Sequence, residues 1–346
     1  MSETLVNETN TARVGWIDTA KCGAITSVVV FHVIIFLNDV GLAGTWNLVS
    51  GPLDTVQLPL FFFTAGLVAK RTLSLQFGVL MRTRVAKLVW LYALWSLMWA
   101  IVFDYVPINR ESPDAAGHPL TRWLHSFVVP NESLWFIYAL AAFFVVTWCT
   151  RKLPVSVQIG AAAALSIAAG SSLIEWDSGA VRKACMYFVF YVIALYGSDL
   201  VRRLAARVRW WQPTLAGAVY LALLMVAVPI LGQSFPGLRL ALGVVGVAAG
   251  VSVSVILARL TWMTWSQHLG KYTLQIYLAH FFIVLGCIAA LHIDETGVSI
   301  AINVVLWVPI VSVAGIIGSL AFHRITRSIP GLWDLPKWAQ SQPKVR

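Results

Sequence analysis

Asp18, Lys21 and His32 stand in one apolar stretch, WIDTAKCGAITSVVVFH (Trp16 to His32), where a hydrocarbon surrounding penalises each of them. On a helix, Lys21 and His32 are offset by about 20° and separated by a rise of roughly 16 Å, so they share one stripe. Lys21 can extend its methylene stem to an aqueous interface, whereas an imidazole this much deeper cannot. A histidine facing the interior of a helical bundle is a candidate general base. Its neutral ring can take the proton of a hydroxyl as that oxygen attacks a thioester. The competing reading is a packing histidine hydrogen-bonded to another helix. Asp18, one turn before Lys21, either orients the ammonium in an ion pair or forms a simple surface pair with it.

A second stretch, LGKYTLQIYLAHFF (Leu269 to Phe282), carries His280 inside an apolar run, with Thr273 on the same face and Tyr277 alongside. His280 is either a structural hydrogen-bonding group or a substrate-contacting or relay residue, and Tyr277 goes with it. Two further fragments are weaker alone. In LPLFFFTAGL (Leu58 to Leu67), Pro59 and Gly66 bracket three phenylalanines, and Gly66 permits a close helix contact. SLWFIYAL (Ser133 to Leu140) opens with Trp135, an interfacial anchor or a substrate contact. Arg82, Arg84 and Lys87 are candidate phosphate ligands or topology anchors. Cys22, Cys149, Cys185 and Cys287 sit in or beside apolar segments with no C-x-x-C pair, so they read as bundle- or lipid-facing residues and no metal is expected.

These residues need elements to hold them, and composition says which. Of the 346 residues 59% are hydrophobic and only 12% charged, with a mean hydropathy of +0.78. A soluble domain carries roughly 25% charged residues, so a water-surrounded globule is excluded. The apolar residues fall into runs near the length of about twenty that a helix needs to cross a bilayer core. Such runs lie at about 22–38, 52–69, 86–104, 133–149, 155–174, 184–199, 214–231, 238–258, 272–291 and 298–321. The expectation is an all-α, polytopic membrane bundle of about ten transmembrane helices, with one integral domain over 22–322 between cytoplasmic segments 1–21 and 323–346.

The chain carries 25 Lys and Arg for a net charge of +10. With both termini in the cytoplasm only Arg110, Arg122, Arg182, Lys183 and Arg239 fall outside, which is the positive-inside distribution for a multi-pass protein of the plasma (inner) membrane. The basic charge is therefore a topology signal and no nucleic acid partner is expected. Asp18 before the first apolar run, and the lack of a small-x-small site after it, read against a cleavable signal. The tryptophans near segment ends, among them Trp90, Trp95, Trp135, Trp210, Trp211, Trp262 and Trp265, read as headgroup anchors. The connection from Asp104 to Glu132 is long enough to suggest a functional or mobile loop.

The four fragments, in this order, resemble the acyltransferase 3 family of membrane O-acyltransferases. The likeness rests on a WiD-x-x-K/R start with a following His, a PlFFf-x-SG helix, an slWFl-x-aL helix and a gk-x-sl-x-iYl-x-H helix, and it spans Trp16 to the tenth segment. Lys21 stands where many members have Arg, keeping the charge but not the guanidinium fork. Ala65 stands where Ser is usual before Gly66. The resemblance implies transfer of an acyl group, usually acetyl, from a cytoplasmic acyl-CoA to a hydroxyl of an envelope sugar, polysaccharide, polyol or glycolipid. On this reading His32 is the base and Lys21, with Arg82, Arg84 and Lys87, holds the donor. Donor and acceptor must then meet around His32, which requires a water-accessible cavity between helices one, two and nine.

A proton-linked transporter or flippase of a small glycoside or glycolipid is the alternative, since intramembrane histidines also suit a proton relay. No inverted repeat supports it. A non-catalytic scaffold leaves the Lys21–His32 stripe without a purpose. The orientation is tested by single cysteines in a background lacking the native four. Labels at Ala116 and Ser234 are expected to react with impermeant reagents from outside, and labels at Ser74 and Ala205 only after permeabilisation; the reverse pattern inverts the donor and acceptor sides.

Overall fold

The computed structural model describes residues 15–39, 41–102, 118–130, 133–171, 173–290 and 300–339. Among these there is no strand, and the apolar runs become helices. In chain order they are α1 (Gly15–Asp39), α2 (Asn47–Ala69), α3 (Phe77–Val102), α4 (Trp135–Thr150), α5 (Val155–Gly170), α6 (Gly179–Ala206), α7 (Gln212–Leu231), α8 (Leu238–Ala258), α9 (Thr273–Ala290) and α10 (Ile300–Thr326). Eight spans among the described residues are long and apolar enough to cross a membrane; α4 and α5 are apolar but have only 16 residues each. Sixteen residues rise about 24 Å, less than a hydrocarbon core of about 30 Å.

Local chemistry sets the ends. Ser178 caps α6, its hydroxyl accepting from the Val181 amide at 3.3 Å. Pro154 precedes α5 and Pro213 opens α7, where a missing N–H is harmless. Pro59 sits inside α2, a placement membrane helices tolerate because neighbouring groups take up the freed backbone polarity. Helix α1 is described from Gly15, so residues 15–21, read from the sequence as part of a cytoplasmic segment, are helical. At the other end the boundary at 322 falls inside α10, and the chain beyond that helix packs back onto the bundle.

The core is aromatic and knits α2 to α4 and α6. Phe62 lies 4.5 Å from Phe136, 5.0 Å from Phe143 and 6.2 Å from Tyr187 by ring centroids, and Phe61 lies 4.7 Å from Phe136. Trp135 is buried in this core and Trp95 is buried against Phe282, Phe322 and Trp333, which corrects their reading as anchors. An indole can go inside when its N–H finds an acceptor, and Trp95 donates to the Leu332 carbonyl at 3.0 Å. Trp90 likewise donates to Gly331 at 2.7 Å. Trp210, Trp211, Trp262 and Trp265 are exposed, as an anchoring role requires. All four cysteines are free thiols, one of them, Cys22, buried.

Two helix contacts need glycine. A Cβ on Gly66 would stand 2.3 Å from the Tyr191 carbonyl oxygen, so α2 and α6 meet backbone to backbone there. Gly66→Ala is expected to lower the stability of the detergent-purified protein by about 1–3 kcal/mol through overpacking. Gly197→Ala, where nothing lies within 4 Å, should leave it unchanged. Equal thermal unfolding of the two variants would refute this packing.

Candidate active site

Helix α9 is reached through a short helical turn, Thr264–Leu269, that is seated on the start of α1. Gly270 makes the seat possible, because a Cβ there would lie 2.0 Å from the Asp18 carbonyl oxygen. Beside it the hydroxyls of Thr19 and Ser266 are hydrogen-bonded at 3.0 Å in a buried pocket. The two helices then run in the same direction, and His32 of α1 meets His280 of α9 with ring centroids 5.1 Å apart.

The protons of this pair follow from their partners. His280 Nδ1 faces the Ile276 carbonyl at 3.0 Å and the Tyr277 carbonyl at 2.8 Å, and carbonyl oxygens only accept, so Nδ1 carries the proton. His32 Nδ1 faces the Val28 carbonyl at 2.9 Å and is a donor for the same reason. The 3.2 Å contact between His32 Nδ1 and His280 Nε2 is then a hydrogen bond from His32 to the lone pair of His280. With Nδ1 protonated, the neutral ring of His32 carries its own lone pair at Nε2. A hydrogen bond that fixes one ring nitrogen and leaves the other basic is the arrangement general bases use.

His280 is fully buried and His32 half-buried. Phe281 packs edge-on to His32 at 5.0 Å and Trp99 of α3 packs edge-on to Phe281 at 4.7 Å. Tyr277, 6.2 Å from the His280 ring, donates its hydroxyl to the Ser133 carbonyl at 2.9 Å, which ties α9 to the turn that starts α4. Trp135 does not reach the histidines; its neighbour Phe136 does the joining, 5.5 Å from Tyr277. A crevice too narrow to admit water lies beside the pair between α3, α9 and the Ser133–Leu134 turn, lined by Trp99, Tyr277 and Phe281. Most of the Asp104–Glu132 connection lies outside the described residues.

The Lys21 end of α1 lies apart from the histidines. Lys21 and Asp18 lie 3.9 Å apart, Asp18 buried and Lys21 one-fifth exposed, so the expected pair forms about 16 Å along the helix from His32. Arg82 and Arg84 are exposed on a π-helical turn, Met81–Val85, at the head of α3. Wide turns of this kind occur often at functional sites. Lys87 is held by Asp334 at 3.1 Å. Asp334 belongs to the chain following α10, which no spacing in the sequence singles out. There Trp333 is buried against Trp95, Phe322 and His323 at 5.0, 5.8 and 4.9 Å. Among the described residues no group of three or more His, Cys, Asp or Glu side chains is placed to hold a metal ion.

A polytopic helical membrane protein with a histidine pair inside its bundle is the class that fold and site define. Residues 14–324 match the family model described as an acyltransferase domain, and the chain belongs to the acyltransferase 3 family. It is similar to the inner membrane protein YcfT of Escherichia coli (strain K12), 26% identical over 151 residues. That similarity covers 38% of this chain and 42% of the relative, so the match spans less than half of either. No solved structure matches.

The docking of the last segment is testable. Exposed ion pairs contribute about 0–1 kcal/mol, whereas truncating a buried tryptophan costs about 3–5 kcal/mol. Trp333→Ala is therefore expected to expose residues 327–339 to limited proteolysis, and Lys87→Ala to leave them protected. Equal cleavage in both variants would contradict this ranking.

Proposed function

We propose that the chain transfers an acyl group, acetyl in the first instance, from cytoplasmic acyl-CoA to a hydroxyl of an envelope sugar, polysaccharide or glycolipid at the plasma (inner) membrane. The observation that supports this best is the His32–His280 pair. His280 acts as the positioning residue. By accepting from Nδ1–H it keeps the lone pair of His32 on Nε2 and gives some of the charge to a second ring when that nitrogen is protonated. His32 Nε2 takes the acceptor's hydroxyl proton as the oxygen attacks the thioester carbonyl. The tetrahedral intermediate then collapses, the C–S bond breaks, and the thiolate of CoA receives the proton from Nε2.

Lys21, oriented by Asp18, is assigned to the anionic donor at the inner end of α1, with Arg82, Arg84 and Lys87 as further phosphate ligands. Lys87 must exchange Asp334 for a phosphate in that role. The depth between Lys21 and His32 lets the nucleotide stay in water while the acyl end of the donor's arm reaches the base. Tyr277 and Trp135 have a supporting part on this reading, the first locking α9 to the turn before α4, the second walling the core beside it.

The expected result with purified protein, acetyl-CoA and a glycan or glycolipid hydroxyl acceptor is release of free CoA without any ion gradient. His32→Ala should lower kcat by about 10²–10⁴-fold, the range for loss of a general base, and His32→Gln should do no better because an amide cannot accept the proton. His280→Gln keeps an acceptor for Nδ1–H and should retain more kcat than His280→Leu, with a displaced pH profile. Lys21→Arg should keep most activity and Lys21→Ala should raise KM for the donor. Full turnover in a well-folded His32→Ala protein would remove the base. Uptake driven by a pH gradient in sealed vesicles, with no thioester loss across a panel of donors and acceptors, would replace the enzyme with a transporter.

A further inference from the structure

A second concavity lies away from the histidines, between α4, α5 and α6. It has a volume of about 250 Å³ and is half open at the surface. Trp135, Ala139, Phe143, Leu165, Ala184 and Phe188 make most of its wall, and among the described residues no charged one lines it. The hydroxyl of Tyr138, also on the wall, is already committed to the Phe127 carbonyl at 3.2 Å. A cavity of this chemistry does not retain water. A nucleotide or a bare sugar entering it would give up hydrogen bonds and gain none.

We infer that this cavity is a binding site for one hydrocarbon chain of a lipid. The chain is supplied by the surroundings, since the bundle sits in a bilayer and the two shortest apolar helices, α4 and α5, form this flank. Moving a chain from lipid into the groove leaves its hydration unchanged, so the selection rests on contact. Small residues, Ala139, Ala142 and Ala184, leave the channel, and the rings of Trp135, Phe143 and Phe188 close around it. The position is informative too. Trp135 forms the cavity wall and also touches Phe62 at 5.9 Å and Tyr187 at 6.2 Å, while its neighbour Phe136 lies against Tyr277 beside His280. A chain lodged here is separated from the histidine pair by a few aromatic rings. Its source is a bilayer phospholipid, which surrounds this flank whatever reaction the protein carries out; the tail of a lipid-linked acceptor, which rests on the acyltransferase reading, is the occupant that would replace it.

The test uses the full chain in nanodiscs containing phosphatidylcholine with a diazirine in mid-chain, photolysed and mapped by peptide mass spectrometry. Labelling at Tyr138 and Cys185 is expected several-fold above that at Met225, an exposed side chain of α7. Ala142→Leu and Ala184→Leu, which fill the groove, should each reduce labelling at Cys185 several-fold and leave Met225 unchanged. Should either variant fail to fold, excess unlabelled long-chain lipid provides the same reading on the native protein, lowering the Cys185 signal to a plateau that Met225 does not show. Cavity labelling no higher than at Met225, or labelling that neither filling nor competition reduces, would overturn the inference. Filled variants that lose transfer to a lipid-tailed hydroxyl acceptor but not to a water-soluble one assign the chain to the acceptor. Equal retention with both assigns it to a bilayer lipid. Absence of any transfer by the native protein would end the acyltransferase reading and leave the labelling result standing.

Discussion

The proton on His32 Nδ1 is held between a carbonyl of its own helix and the Nε2 of His280, and most of the architecture exists to keep those three atoms together. Inside a bilayer a polar ring without a partner is costly, so each histidine must be satisfied by protein. The Val28 carbonyl does this for one ring and the Ile276 and Tyr277 carbonyls for the other. The His32 Nδ1 proton, shared with the Val28 carbonyl, and the lone pair of His280 Nε2 meet only if α1 and α9 are in register. The Gly270 seat on Asp18 and the Thr19–Ser266 hydrogen bond set that register near the start of α1, more than two helical turns from the rings. The aromatic core of α2, α4 and α6 braces α9 from the far side through Tyr277 and Ser133.

Some of this was legible in the residues. Uninterrupted apolar runs read as helices because a membrane allows little else, and the ten runs return as α1 to α10 with shifted ends. The Lys21–His32 stripe follows from helical periodicity alone. Gly66 was read as a close-contact residue and stands against the Tyr191 backbone. Pairing was not legible. His32 and His280 are 248 residues apart, and no local pattern says which two imidazoles meet. Tryptophan was ambiguous for a physical reason: an indole suits the headgroup layer and the core equally, and its burial depends on an acceptor that arrives from elsewhere in the chain. Trp95 has one from Leu332, and Trp210 stays outside. Asp334 carried no signal because a lone carboxylate after the last apolar run looks like any solvated charge.

Two separated polar regions, the Lys21–Asp18 pair near the start of α1 and a histidine pair further along it, suit a substrate with a charged head and a reactive far end. Neither alone would indicate the chemistry. Cationic inner loops are general to membrane proteins, and buried histidines serve packing as well as proton transfer. Lys21 and His32 share one helix, so the length of α1 fixes the separation of that ammonium and that imidazole at about 16 Å. The π-helical turn at the head of α3 presents Arg82 and Arg84 on a backbone that departs from regular spacing.

The indole hydrogen bonds of α3 carry a consequence for biogenesis. Trp95 is synthesised 237 residues before its acceptor at Leu332, and Trp90 241 residues before Gly331. As the chain emerges from the ribosome, α3 therefore enters the membrane with two indole N–H groups whose final acceptors do not yet exist, and His32 waits slightly longer, 248 residues, for its second ring. Assembly cannot proceed helix by helix to a finished bundle. The last dozen described residues complete the packing of one of the earliest helices, so a ribosome that stalls before them leaves behind an inserted protein with α3 still open.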